Sequence, residues 1–323
     1  VRKEAVVKIL ITGHRGFVGR HLWRALADRG HSLTGIDLLG YRNHQPELAD
    51  IATEERRDAL DFFRTNTTRY DLAIHCAAVI GGRASIDGTP LSVATNLALD
   101  CWYFRWLART GTPRAVYFSS SAAYPTVLQD SEYHDRYGAT SRDRVRRLTL
   151  GSRLSESDIS LNVMQRPDQT YGFAKLAGEF LAQYAEDTRV TIVRPFSGYG
   201  EDQSADYPFP SFIDRAKRKA DPFEIWGDGE QTRDWIHIDD VVGATLAAVE
   251  QEVAGPVNLC TGRATSFNEL AKLVCAEAGY SPAFRHLPSK PSGVHYRVGD
   301  PTKLLSFYTP KVTLEEGIRR ALA

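Results

Sequence analysis

Several things are scarce in this chain of 323 residues, and each scarcity excludes something. Cysteine occurs four times, as Cys76, Cys101, Cys260 and Cys275, with no CxxC pair among them. That spacing argues against a zinc knuckle and a disulfide scaffold, and no metal site is expected; it suits a reducing compartment. Net charge is missing: Lys and Arg number 40, and so do Asp and Glu. Such a balance gives no global field to hold nucleic acid or an anionic membrane surface. Long apolar runs are missing too, since none approaches the roughly 18 residues needed to cross a bilayer. The first seven residues run directly into an apolar strand, so neither a signal peptide nor a membrane partner is expected, and the expected location is cytoplasmic. Hydrophobic residues at 42% still leave ample material for a core.

What is present is a regular alternation in the amino-terminal half. Residues 6–12 are largely apolar and β-branched, the pattern of a strand buried on both faces. A glycine turn follows at 13–19, then a helix over 17–29, a strand over 32–37, a helix over 53–63 and a strand over 72–77. The pattern continues with a long helix over 91–110, a strand over 115–120, a helix over 171–186 and a strand over 190–194. Strands alternating with helices imply parallel βαβ units and a Rossmann-like, doubly wound α/β sheet. Beyond Arg194, Pro195, Pro208, Pro210 and Pro222 break the rhythm. A smaller mixed substrate domain is therefore expected from 195–233 and 262–323, with 1–194 and 234–261 forming the dinucleotide-binding domain.

Between the first strand and helix stand Gly13, Gly16 and Gly19, embracing Arg15, Phe17 and Val18. Glycines there let the backbone turn sharply and let a pyrophosphate approach a helix amino terminus, whose unpaired N–H groups favour anions. Asp37 follows at the end of the second strand, where an acid can bind ribose hydroxyls and repel a 2′-phosphate. Arg15 pulls the other way, because a cation in the loop can pair with that phosphate. NAD is the expected cofactor, with NADP the alternative. Asp50 and Ile51 are weaker candidates for contact with the adenine.

Tyr171 and Lys175 lie four residues apart and share one helical face. An ammonium beside a phenol favours phenolate, which can take a proton from a sugar hydroxyl while hydride leaves the same carbon. Upstream, Ser119, Ser120 and Ser121 close a strand, delivering hydroxyls to the edge where ligands of open α/β sheets bind.

These elements resemble the extended short-chain dehydrogenase/reductases, within the NAD-dependent nucleotide-sugar epimerase/dehydratase family. The resemblance rests on Thr12-Gly13-His14-Arg15-Gly16-Phe17-Val18-Gly19, His75-Cys76-Ala77-Ala78, Asn96, the serine strand and Tyr171-Gly172-Phe173-Ala174-Lys175. It extends through Arg194-Pro195-Phe196-Ser197-Gly198-Tyr199-Gly200, Trp226-Gly227-Asp228-Gly229, Ile236-His237-Ile238-Asp239-Asp240, and Arg297 with Asp300. It implies catalytic roles for Ser120, Tyr171 and Lys175. It assigns Ala77, Ala78, Val79, Asn96, Ser119, Pro195 and Phe196 to the cofactor. Toward a nucleotide-diphosphate sugar it assigns Gly81, Gly82, Arg83, Ser121, Ala122, Ser197, Phe209, Trp226, Arg233 and Arg297, the two arginines on the diphosphate. A homodimer through the 91–110 helix and the Tyr171 helix is implied as well.

Departures from the family pattern narrow the chemistry. Dehydrating members carry an Asp-Glu pair where this chain has Ser121-Ala122; decarboxylating members carry Glu, and 3,5-epimerases Cys, at the position of Ala122. A methyl group moves no proton. What survives is hydride transfer with the tyrosine alone, which suits a C4 epimerase working through a transient keto-sugar. A one-way NAD(P)H-dependent keto-sugar reductase is the alternative, and a non-catalytic dinucleotide-binding protein a more distant one. Asn is common where Ser197 stands. Ser120 and Tyr171 are 51 residues apart, roughly twenty more than the family pattern. The excess, about 135–160, carries Arg136, Arg142, Arg144, Arg146, Arg147 and Arg153. It reads either as a cationic lid over an acidic sugar such as a uronate or as a solvated helix.

Overall fold

A computed structural model describes residues 6–38, 52–80, 88–129, 153–162 and 165–323. Asp50, Ile51, Gly81, Gly82, Arg83 and most of the arginine-rich insertion lie outside the described residues.

The strands β1 (Lys8–Thr12), β2 (Ser32–Asp37), β3 (Ala52–Arg56), β4 (Leu72–His75), β5 (Arg114–Phe118) and β6 (Arg189–Pro195) form one sheet with β11 (Val257–Leu259). Its order is β11-β6-β5-β4-β1-β2-β3, and every pairing is parallel. Chain order reverses on either side of β1, so the crevice between the carboxyl ends of β1 and β4 is the switch point where such sheets bind ligands.

Side-chain alternation builds a core on each face. Ile9 and Ile11 point to one core with Leu72, Ile74, Val116 and Phe118, against Leu22, Trp23 and Leu26 of α1 (Phe17–Asp28). Leu10, Ala73, Ala115 and Tyr117 point to the other. There they meet Phe62 and Phe63 of α2 (Ala59–Thr65) and Tyr103, Trp106 and Leu107 of the long helix. This two-sided burial explains why the strands read as near-continuous apolar runs.

The expected helix over 53–63 is half strand. Residues 52–56 pair with β2 in register at the sheet edge, and the helix begins after Asp58, whose carboxylate accepts from the Leu60 N–H. The expected 91–110 helix divides at Ala94 into α3 (Pro90–Val93) and α4 (Thr95–Thr110). Next comes α5 (Gln169–Ala182), which bears Tyr171 and Lys175.

Beyond β6 lie the short strands β7 (Ser197–Tyr199), β8 (Phe223–Trp226), β9 (Thr232–Arg233) and β10 (Trp235–His237), then β12 (Thr265–Ser266), β13 (Phe284–Leu287) and β14 (Tyr296–Arg297). They accompany α6 (Pro208–Lys217), α7 (Ile238–Glu250), α8 (Phe267–Glu277) and α9 (Leu314–Leu322). A separate, third core gathers Tyr199, Phe209, Phe212, Phe223, Ile225, Trp235, Phe267, Leu270, Val274 and Ile318. Among the described residues no helix is long and apolar enough to cross a membrane.

Candidate active site

The glycine loop leaves β1 with Gly13 at φ +71°, a left-handed conformation that side chains resist. A Cβ on Gly13 would lie 2.5 Å from the Ala77 backbone nitrogen, so only glycine lets the loop and the end of β4 touch. Gly16 holds the N-cap position of α1 and has no side chain to cap it, and the Arg15 N–H donates to Asp37 Oδ2 at 2.9 Å. A tight turn, an uncapped helix terminus and an acid at the tip of β2 together fit a dinucleotide. The residues that would hold it are Gly13, Arg15, Gly16, Phe17, Val18, Gly19 and Asp37, with Ala77, Ala78 and Val79 on the neighbouring strand end. Asn96, fully buried, clasps Val79: its Oδ1 accepts from the Val79 N–H at 2.7 Å and its Nδ2 donates to the Val79 carbonyl at 2.8 Å. Its place is therefore behind that segment, shaping it.

Ser119 and Ser120 diverge at the end of β5. Ser119 donates to Glu179, which also takes two guanidinium bonds from Arg194 at 2.8 and 2.6 Å. Its hydroxyl thus anchors a buried ion pair. Ser120 stands at the turn beside it: its Oγ accepts from the Ala122 N–H at 3.1 Å, and its hydroxyl works to lower the Tyr171 pKa. The turn Ser121–Ala123 and α5 are locked together, the Asp168 N–H donating to the Ala122 carbonyl at 3.0 Å. A Cβ on Gly172 would fall 2.1 Å from that carbonyl oxygen. This glycine sets how closely the tyrosine helix approaches the serine turn.

Lys175 is buried, its Nζ 5.1 Å from the Tyr117 ring centre and 6.0 Å from that of Tyr171. The protein's own surroundings of the phenol work against its ionisation. Burial pushes the Tyr171 hydroxyl up to about 12; Ser120 and Arg297 work downward, while Asp100 works upward. Desolvation outweighs Ser120 and Arg297 because the ring is almost fully enclosed.

Beneath Lys175 runs a buried chain that sequence reading missed. Thr12 Oγ1 lies 2.7 Å from His75 Nδ1, His75 Nε2 lies 3.2 Å from Asp100 Oδ1, and the Tyr117 hydroxyl donates to Asp100 Oδ2 at 2.6 Å. Burial lowers the His75 pKa, so the ring is neutral, with its proton on the nitrogen facing the carboxylate. Burial works to raise the Asp100 carboxyl, but Lys175, His75 and Tyr117 outweigh it and hold it below its ordinary value. An acid in mid-helix reads as solvated in sequence; only the packing reveals a counter-charge.

The two candidate phosphate ligands are register partners. β9 and β14 run parallel, with Arg233 opposite Arg297. Neighbouring strands are about 4.8 Å apart, so two guanidinium stems leave the same edge side by side. Arg297 bonds Gln129 and donates to Asp168 Oδ2 at 2.8 Å, which ties it to the first turn of the tyrosine helix. Arg233 donates to the carbonyls of Thr232 and Ser292 at 2.9 and 3.2 Å. Trp226 lies at the end of β8, with Lys290 Nζ 5.6 Å from its ring centre. Pro195 ends β6; Phe196 packs beside Tyr124, and the Ser197 N–H donates to the Asp234 carbonyl at 2.9 Å. Phe209 departs from expectation. It is only 1% exposed and packs into the carboxy-terminal core, its ring centre 4.2 Å from that of Tyr199. Arg153 and Leu154, at the end of the insertion, are not a solvated helix: Leu154 bridges Gly299 in parallel, just past Arg297, and Arg153 donates to the Gly262 carbonyl at 2.8 Å.

Residues 9–260 match the model of the NAD dependent epimerase/dehydratase family. The chain belongs to this family. It is 29% identical over 316 residues to the dTDP-4-dehydro-6-deoxy-D-allose reductase of Streptomyces bikiniensis, covering 92% of this chain and 89% of the relative. It is 27% identical to GDP-mannose 3,5-epimerase 1 of Oryza sativa subsp. indica, covering 97% and 80%. The UDP-glucose 4-epimerase of Thermotoga maritima, solved with UDP-glucose, superposes with a TM-score of 0.78 at 26% identity, covering 98% and 97%. The chain thus stands among NAD-dependent enzymes that modify nucleotide sugars, and these relatives perform different reactions on a shared scaffold.

Proposed function

We propose that this enzyme inverts C4 of a nucleotide-diphosphate sugar, oxidising it to a transient keto-sugar and returning hydride to the opposite face. The observation that carries the reading is the serine turn itself. The Ser120 hydroxyl works downward on the Tyr171 pKa, and two residues on stands the methyl of Ala122, packed with Tyr171 and Val93. At that turn the phenol is the proton carrier, which serves hydride chemistry at a carbinol and does not serve dehydration. Bound NAD supplies the hydride acceptor, and recycling it in place requires no outside reductant. Tyr171 takes and returns the hydroxyl proton, Ser120 orients that hydroxyl, and Lys175 places its charge beneath the phenol. Arg233 and Arg297 suit the diphosphate because guanidinium groups make paired, charge-assisted hydrogen bonds to phosphate.

The substrate is proposed to sit between the sheet and a unit built from 195–233 and 262–323. A homodimer through α4 and α5 is proposed as well; Leu91, Phe173, Phe180 and Tyr184 form an exposed apolar run along that side.

The test is a panel of UDP-, GDP-, dTDP- and CDP-sugars, each deuterated at C4, incubated without added reductant. A C4 epimer that keeps its deuterium supports the reading. Product formed only with stoichiometric loss of NADH or NADPH would replace it with the keto-sugar reductase.

A further inference from the structure

We propose that Glu54 sets the preference for NAD over its 2′-phosphorylated form, by neutralising the one loop cation that would otherwise receive the 2′-phosphate. The proposal rests on reading the 13–19 loop and Asp37 as the cofactor cradle. It resolves the conflict between Asp37, which favours NAD, and Arg15, which favours NADP.

The geometry begins with β3, the strand that sequence reading took for a helix. Its pairing with β2 sets Gly35 opposite Glu54 and Asp37 opposite Arg56. Glu54 thereby stands one strand over from the ribose-binding acid. Arg15 is fixed at the tip of β2, because its N–H donates to Asp37 Oδ2 at 2.9 Å. Its guanidinium pairs with Glu54, and the two side chains are only 11% and 10% exposed. His14 Nε2 lies 3.5 Å from the other Glu54 oxygen. Burial lowers the His14 pKa from 6.5, so at neutral pH this ring brings no second cation.

The guanidinium is thus held by Glu54, while the backbone N–H of the same residue is held by Asp37. For Arg15 to serve a 2′-phosphate it must leave Glu54, stranding a shielded carboxylate beside a group of nearly two negative charges. NAD asks nothing of the guanidinium, since its ribose hydroxyls meet Asp37. With Glu54 uncharged, the same arginine becomes a phosphate ligand.

The test is equilibrium binding of NAD and of NADP to the whole chain, followed by tryptophan fluorescence and calorimetry. Glu54→Gln is expected to tighten NADP by about tenfold or more and to leave NAD within roughly threefold. Adding Arg15→Gln to that variant is expected to erase the gain. An unchanged NADP-to-NAD ratio in Glu54→Gln, or a gain that survives loss of Arg15, overturns the proposal. Should Glu54→Gln fail to fold, Glu54→Asp carries the test, drawing the carboxylate back by one methylene; the ratio must rise there too. A wild-type protein that binds neither dinucleotide overturns the cofactor reading itself, an outcome distinct from tight NAD binding with an unmoved ratio.

Discussion

Asp100→Asn probes whether the buried carboxylate beneath Lys175 acts on the catalytic phenol. Asp100 is 1% exposed and is held by His75 at 3.2 Å and by the Tyr117 hydroxyl at 2.6 Å. Its charge raises the Tyr171 pKa, opposing Ser120 and Arg297. Two unit charges roughly 10 Å apart at an effective dielectric of about 20 interact by about 1.7 kcal/mol. That corresponds to a shift of about 1 pKa unit. On the proposed mechanism the base form of Tyr171 starts the reaction, so removing a nearby anion should favour it. The acid limb of the kcat/KM profile is therefore expected to move about 1 unit lower in Asp100→Asn. Asn retains an acceptor for Tyr117 and adds little volume, so the stability loss should stay near the 1–3 kcal/mol of a disturbed buried hydrogen bond, or about that. A pH–rate profile of the variant, with a thermal melt as control, decides the matter. An acid limb that stays in place or moves upward while the melt stays cooperative would refute the electrostatic role.

Tyr171→Phe is expected to abolish turnover and to leave NAD affinity intact in a fluorescence titration; substantial residual turnover contradicts its acid–base role. Phe209→Ala should cost about 3–5 kcal/mol in denaturant unfolding while leaving substrate KM unchanged, because the ring is core. Asp202 accepts from Arg20 Nε at 2.7 Å and lies 3.0 Å from His21 Nε2; though burial works to raise its carboxyl, these partners hold it below its ordinary 3.8. A depressed folded value contributes stability above pH 3.8 that is lost as pH falls through the lower folded value, so Asp202→Asn should flatten the fall in melting temperature below pH 4. Phe180→Glu on the exposed side of α5 is expected to yield monomers in sedimentation, and an unaltered oligomer would exclude that helix from the interface.

How much was legible beforehand follows from what is local. Strands whose residues alternate between two apolar cores, such as Ile9-Leu10-Ile11, declare themselves as unbroken apolar runs. The helix of Tyr171 and Lys175 shows the period that unites residues i and i+4. β3 misled because Glu54, Glu55, Arg56 and Arg57 have helical propensity, and pairing at the sheet edge overrode it. The register that sets Arg233 opposite Arg297 joins residues far apart in the chain, so spacing could only nominate each arginine singly. Asp100 gave no signal at all, since an acid on a helix is ordinarily solvated.

The phenol's high pKa in the free protein constrains how a site of this kind can work. At about 12, Tyr171 is protonated at neutral pH and unfit to act as a base before ligands arrive. The largest upward cause is burial, which a bound sugar would not relieve. What can change on binding is the balance of charges: on the proposed mechanism a diphosphate would compete for Arg297, which is shared with Asp168 and Gln129. Drawing Arg297 toward phosphate would weaken a downward influence on the phenol, so substrate alone cannot be the activator. On the proposed mechanism the compensation falls to the positive charge of the oxidised nicotinamide, since a neighbouring cation favours phenolate. On the proposed mechanism the cofactor is expected to bind before the sugar, so dead-end inhibition by a nucleotide diphosphate is expected to depend on NAD already being in place; equal inhibition without NAD would refute that order.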